Sequence, residues 1–470
     1  MTYPFDLEKY YSQYGYLPTV LIALAIMLFV AFLLTRLTKL LKLPNVTAYI
    51  LTGCLIGPFC LGLIPSDIIS GMGFLSDVAL AFIAFGVGRY FKVDSLKKTG
   101  KKVVIITLME SVLAGIVVTI FTKLIFYNSV SWNFALLLGA IATATAPAST
   151  MMTIRQYSAK GEFVDVLLQV VSLDDAVCLI CYTLAIAFVN AMEGGGQVSV
   201  VNSVILPLVY NIAAIGLGVL LGFIHSKVMS VKRSQDNRLI LTIATLVLLC
   251  GICDLPMISI SPLMCCMVFG ASYINFKKDD TVFTQLDNFT PPIMCLFFVL
   301  SGMKMDFSNF QVIGLLGVAY FFLRIIGKYS GAYLGCKIVK EPKEVSRNLG
   351  LALVPQAGVA IGLADMGARL LGGTIGSTFL SIILCSSILY EMIGPGLAKL
   401  GLVKSGCITK EALAYKTKNI EIKDLTKGLE TEPPLKVAGE DPLTPTMDIL
   451  NEDLIAPKEI TDSESHQLVS

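Results

Sequence analysis

QVVSLDDAVCLICYTLAIAF, residues 169–188, sets two adjacent carboxylates, Asp174 and Asp175, in the middle of an apolar run. A carboxylate at the centre of a bilayer costs about 2.5–3.5 kcal/mol on insertion scales, so two in succession point to an ion or proton site rather than to filler. That reading requires the surrounding chain to be a membrane protein, and its composition agrees. Of 470 residues, 55% are hydrophobic and 15% charged, and the mean hydropathy is +0.75; both contents lie outside the soluble norm.

Apolar stretches of about 20 residues bounded by charge or by Pro/Gly predict about thirteen membrane helices. They fall near 18–36, 44–64, 73–91, 103–126, 132–154, 163–190, 202–226, 237–254, 259–275, 288–304, 309–336, 347–368 and 374–398. Cytoplasmic loops accumulate Lys and Arg. Alternate connections carry 21 of them, from Arg36 and Lys39 through Lys97, Lys98 and Arg233 to Lys343 and Arg347, whereas the other side holds Lys9, Lys304 and Arg369. The predicted topology is multi-pass, in the cell membrane, with the N-terminus outside and the C-terminus cytoplasmic. The aromatic N-terminus suits an interfacial belt and has no basic region of a cleaved signal. Residues 403–470 hold 8 Lys against 13 Asp/Glu and read as a largely disordered cytoplasmic tail.

Two helices are interrupted at matching places. The fifth carries Pro147 after IATATA, and the twelfth carries Pro355-Gln356-Ala357-Gly358. Proline removes a backbone donor and crowds the preceding turn, so each helix is expected to open near mid-membrane. The fourth to sixth spans are mirrored seven spans later by the eleventh to thirteenth. Seven is odd, so the second set is inverted, the arrangement in which broken helices mark a transport site. The predicted fold class is an all-α polytopic membrane protein, about 13 transmembrane helices in two inverted repeats with two crossing broken helices.

The other ionisable residues in apolar spans are Glu110, Arg324, Lys328 and Glu391. Lys328 is expected at a depth comparable to Asp174. Adjacent positions on a helix point about 100° apart, so the two aspartates receive different roles: Asp174 pairs with Lys328, and Asp175 holds the ion. A carboxylate withdrawn from water can carry a proton or a hard monovalent cation by turns, which is itself an exchange mechanism. Thr143 and Thr145 at the break are candidate oxygen donors to the same ion. Arg324, one turn before Lys328, is expected to form a structural ion pair with Glu110. The glycines of GKYSGAYLG, 327–335, allow a close helix approach, expected to bring the sixth span near the lysine.

Twelve cysteines sit almost wholly in apolar spans. Cys178/Cys181 and Cys250/Cys253 make CxxC pairs that read as helix packing rather than metal or redox sites. There is no GxGxxG, so neither nucleotide nor nucleic acid is expected as a partner, and no cofactor beyond the transported Na+ and H+. An intramembrane aspartyl protease needs carboxyls facing each other from separate helices; here they are neighbours on one helix and no GxGD occurs, so no enzyme activity is expected.

Taken together, LTGCLIGP (51–58), the TATAP break (143–147), LDD (173–175), GKYSGAYLG (327–335) and VPQAGVAIGLA (354–364) resemble the monovalent cation:proton antiporter superfamily, specifically its bacterial sodium/proton branch with two aspartates on one helix. The resemblance covers roughly residues 18–400. It implies an antiporter domain over 1–402, with core helices about 103–190 and 309–398, dimerisation helices about 18–91 and 237–304, and a linker helix about 202–226. It further implies a homodimer in lipid whose core moves as an elevator, Asp175 as the shared Na+/H+ ligand, Asp174 as the partner of Lys328, and electrogenic exchange if Lys328 or Asp174 also titrates. One departure concerns the break, where Ala146 follows Thr145 in place of a second polar residue. Potassium/proton exchange is the alternative reading, and a Na+-coupled solute symporter is a further one.

Overall fold

The computed structural model describes residues 15–40, 45–94, 100–146, 150–151, 153–154, 157, 159–193, 206–230, 233–253, 255, 260–305 and 310–408. Among these residues the regular structure is helical, with no strand. In chain order the helices are α1 (Tyr16–Leu40), α2 (Asn45–Ile56), α3 (Ser66–Gly71), α4 (Phe74–Gly88), α5 (Lys101–Ile125), α6 (Trp132–Ala142), α7 (Glu162–Glu193), α8 (Leu206–Val228), α9 (Gln235–Cys253), α10 (Pro262–Lys277), α11 (Thr281–Phe289), α12 (Pro291–Met303), α13 (Phe310–Ile338), α14 (Lys343–Ala352), α15 (Gly358–Leu371) and α16 (Gly373–Lys404). Pro147 and the tail beyond residue 408 lie outside the described residues.

Among the described residues, seven helical stretches are long and apolar enough to cross a bilayer unaided, one of them formed by α3 and α4 together, and an eighth crossing results if α11 and α12, bent by 50° at Thr290, count as one. The expected tenth span therefore starts earlier than its apolar run suggested, with Pro291 opening the second half of a bent pair. The two interrupted helices escape a length test because each half is too short to span alone. The fifth opens sooner than Pro147 implies: α6 ends at Ala142 and residues 143–146 are not helical. The twelfth opens between Ala352 and Gly358, as α14 and α15.

Side-chain capping fixes where two helices begin. Ser131 accepts a hydrogen bond from the Phe134 amide at the head of α6, and Ser261 accepts one from Met264 with Pro262 opening α10.

Packing is set by small residues. α5 and α13 cross almost backbone to backbone: a Cβ on Gly327, Gly331 or Gly335 would stand 2.6 Å from Ala114 Cα, 2.5 Å from Glu110 Cα and 2.9 Å from Ile106 Cα respectively. The glycine stripe thus receives α5, the fourth expected span, rather than the sixth; α7 meets the lysine through its side chain instead. Elsewhere α4 and α10 meet at Gly88 and Gly270, where added Cβ atoms would reach 2.4 Å from Met267 O and 2.3 Å from Phe85 O. Phe85 then stacks on Phe283 of α11 at 4.7 Å between centroids. Helices α5, α6, α7, α13, α14, α15 and α16 pack chiefly among themselves around the two interruptions.

Candidate functional site

The two non-helical segments cross. The Ala146 amide donates to Pro355 O at 2.8 Å, joining one break to the other. Opening a helix frees carbonyls that must find donors when buried. Arg324 supplies three: Nε to Ala142 O at 3.0 Å, Nη2 to Ala144 O at 2.5 Å and Nη1 to Val354 O at 2.7 Å. Gln356 donates to Ile141 O at 2.9 Å and accepts from Tyr320 at 3.0 Å. The guanidinium also lies 4.6 Å from the Tyr390 ring centroid. One arginine fork therefore pins both breaks, a task suited to its fixed planar array of donors.

Lys328, one turn along α13, makes a second knot. Its Nζ is 2.6 Å from Asp174 Oδ2 and 2.9 Å from Glu110 Oε2. It also donates to Thr143 O at 2.5 Å and Thr145 Oγ1 at 2.9 Å. The Thr145 hydroxyl donates to Asp174. Ser111, which the sequence reading did not single out, donates to Asp174 from the next turn of the cluster and lies 3.2 Å from Glu110 Oε1.

The expected Glu110–Arg324 pair is not formed, and the α5–α13 crossing explains why. The three close approaches pair residue 106 with 335, 110 with 331 and 114 with 327, an antiparallel register that sets Lys328 opposite residue 113 and Arg324 opposite residue 117. Glu110 is thus one turn from the level of Lys328 but about 10 Å from that of Arg324, at 1.5 Å per residue. The break threonines also depart from expectation. Thr143 donates back to Ala140 O at 2.7 Å, and Thr145 is held between Lys328 and Asp174.

Asp175 differs from all of these. It is 0% exposed, and neither carboxylate oxygen has a hydrogen-bond partner among the described residues. Glu110, Asp174, Arg324 and Lys328 are also 0% exposed, so with every group ionised the cluster carries three negative and two positive charges. The surplus is one negative charge, and Asp175 is the group no cation touches. On one side of it lies an apolar recess walled by Leu80, Ile83, Ala84, Val87, Leu179, Leu263 and Val359. A cavity of about 650 Å³, lined by α7, α11 and the residues just after α4, takes in Asp165, Gln169 and Ser172 of α7. Asp175 stands one helical turn beyond Ser172 along α7.

A second ion cluster, around the buried Asp365, was invisible in the sequence because that carboxylate lies toward the end of a half-helix. Asp365 of α15 pairs with Lys304 at 2.7 Å and with Arg369 at 2.7 Å, and Arg369 reaches Asp77 of α4 at 3.1 Å. No group of three or more His, Cys, Asp or Glu among the described residues is disposed to hold a metal. No disulfide joins either CxxC pair among the described residues.

Comparison with known proteins places this architecture. Two solved structures of the sodium proton antiporter MjNhaP1 from Methanocaldococcus jannaschii, one at pH 8 and one from electron microscopy, superpose with TM-scores of 0.68 and 0.67. Each is 19% identical and covers 83% of this chain, and the matches take in 99% and 98% of those chains. At that identity the likeness concerns the fold. No curated protein matches. Residues 24–398 match the family model described as sodium/hydrogen exchanger, transmembrane, and over that span the chain belongs to the sodium/hydrogen exchanger family: it is a membrane cation/proton antiporter, not an enzyme.

Proposed function

We propose that the chain exchanges Na+ for H+ by alternating access, with Asp175 holding one or the other in each half-cycle. The observation that carries this is a fully buried carboxylate with no donor to either oxygen among the described residues, in a cluster whose remaining charges balance. Either a proton or a monovalent cation neutralises the surplus charge, and the two compete for the same oxygens. The sodium proton antiporter with the same fold favours Na+ over K+ as the cation. The abundance of Lys and Arg in alternate loops makes the 650 Å³ cavity the cytoplasmic mouth, with the N-terminus outside.

Asp175 alone would exchange one proton for one cation and move no net charge. Lys328 stands between two carboxylates, and a cation arriving at Asp175 adds a positive charge beside it. Loss of a second proton from the Lys328–Asp174–Glu110 group on cation loading would make the cycle electrogenic. Moving one charge is worth about 2.3 kcal/mol per 100 mV, so such a cycle would respond to membrane potential.

For the movement itself, helices near 103–190 and 309–398 act as the core and those near 18–91 and 237–304 as a scaffold that dimerises in lipid, with residues near 202–226 as linker. The core slides to carry Asp175 from one face to the other.

The test is dequenching of a pH dye in proteoliposomes on addition of Na+, Li+ or K+ across pH. Na+ should discharge the gradient, with the half-saturating concentration rising as pH falls because protons occupy the ligand. Asp175→Asn should be silent while remaining monodisperse in detergent; transport retained by it refutes the assignment. A response to K+ exceeding that to Na+ would replace the cation.

A further inference from the structure

The cavity beside α7 takes in Ser172, one turn short of Asp175, and its α7 wall has a chemistry of its own. Asp165, Gln169 and Ser172 line it, and the spacing 165, 169, 172, 175 keeps Asp175 next in line, each step rising about 4.5–6 Å along the helix. Gln169 Oε1 is buried and accepts no hydrogen bond among the described residues. Ser172 spends its hydroxyl proton on Leu168 O at 2.6 Å, which leaves the oxygen as an acceptor. Across the cavity the carboxylates are already engaged, Asp287 by Arg89 at 2.5 Å and Asp280 by Lys92 at 3.0 Å. Asp165, at the mouth, has no ion pair among the described residues. The α7 wall therefore presents acceptor oxygens of Asp165, Gln169 and Ser172 at successive turns leading to the buried carboxylate.

Taking Asp175 as the exchange ligand, we infer that Gln169 Oε1 and Ser172 Oγ form a transit site at which an alkali cation entering from this cavity exchanges part of its hydration before reaching Asp175. Neutral amide and hydroxyl oxygens suit a hard monovalent cation, and being uncharged they take the ion without holding it against the carboxylate beyond. Asp165 draws cations to the mouth, whereas the Gln169–Ser172 pair decides how readily they pass.

The site acts on one face of the membrane, so its test is sided. In proteoliposomes of known orientation, Gln169→Leu should raise the half-saturating Na+ concentration measured from the cavity side by about tenfold, the scale of one lost polar ligand. Its maximal rate should be retained, as should half-saturation from the opposite face. Ser172→Ala should shift the same quantity in the same direction, the double variant should exceed either, and Gln169→Glu, which keeps an oxygen, should not lose affinity. If Gln169→Leu does not assemble, Gln169→Met of similar length makes the same comparison. Half-saturation equal to that of the unaltered protein in the double variant, or an equal rise on both faces, overturns the transit site. Asp175→Asn measured alongside separates the two proposals: a silent Asp175→Asn with unaffected Gln169 and Ser172 variants removes the transit site alone, while transport surviving Asp175→Asn removes the exchange ligand.

Discussion

Lys328 serves two carboxylates at once, and that is where the cost of the cluster concentrates. Removing one member of a buried ion pair leaves an uncompensated charge and costs about 3–5 kcal/mol. Lys328→Ala strands both Glu110 and Asp174, so it should lower the melting temperature of the purified protein well beyond the effect of Glu110→Gln alone. Lys328→Ala combined with Glu110→Gln should recover part of the loss, since one stranded charge is then gone. Thermal unfolding of the four proteins as a double-mutant cycle measures the coupling; strictly additive losses would mean that the 2.9 Å contact carries no energy. Arg324 is not exchangeable with lysine here, because its three donors reach carbonyls on both breaks and an ammonium cannot span them.

At the scale of the helix, the α5–α13 crossing determines which charges meet. A side chain at Gly331 would meet the Glu110 backbone at 2.5 Å, and backbone cannot yield as a flexible side chain does. Gly331→Val should therefore force the two helices apart, lower thermal stability by several degrees and weaken exchange through the displaced Lys328. Normal melting and activity in Gly331→Val would show that the crossing tolerates separation. The crossing also explains what the sequence made legible. The apolar spans, the pairing of Asp174 with Lys328, and the existence of both interruptions follow from residue chemistry at single positions. That Glu110 also meets Lys328 does not, because it depends on the register of two helices more than 200 residues apart. The glycine spacing announced a close neighbour without naming it. Pro147 marked the right helix, yet that helix ends at Ala142, where Arg324 and Gln356 supply the donors that let the carbonyls leave it. Asp365 escaped notice for a related reason: a carboxylate four residues from Arg369 looks like a solvated loop pair until Lys304 is brought to it.

At the scale of the whole transporter, the Asp77–Arg369–Asp365–Lys304 cluster ties α4 and the end of α12 to α15. If the core slides against the scaffold, these contacts must part in each cycle. Cysteines placed at Asp77 and Arg369, in a background lacking the native cysteines, should be joined by a short bifunctional reagent. That cross-link should stop exchange until it is cleaved, and undiminished exchange in fully cross-linked protein would mean that these helices do not move relative to one another.

The most direct measurement asks whether cation and proton share one carboxylate. Na+ binding to the purified protein can be followed by titration calorimetry in two buffers of different ionisation heat, which counts the protons released per cation bound. The expected result is release of at least one proton per Na+, with both the binding heat and the release abolished in Asp175→Asn. Na+ binding that persists in Asp175→Asn, or that releases no proton in the unaltered protein, would contradict the shared site.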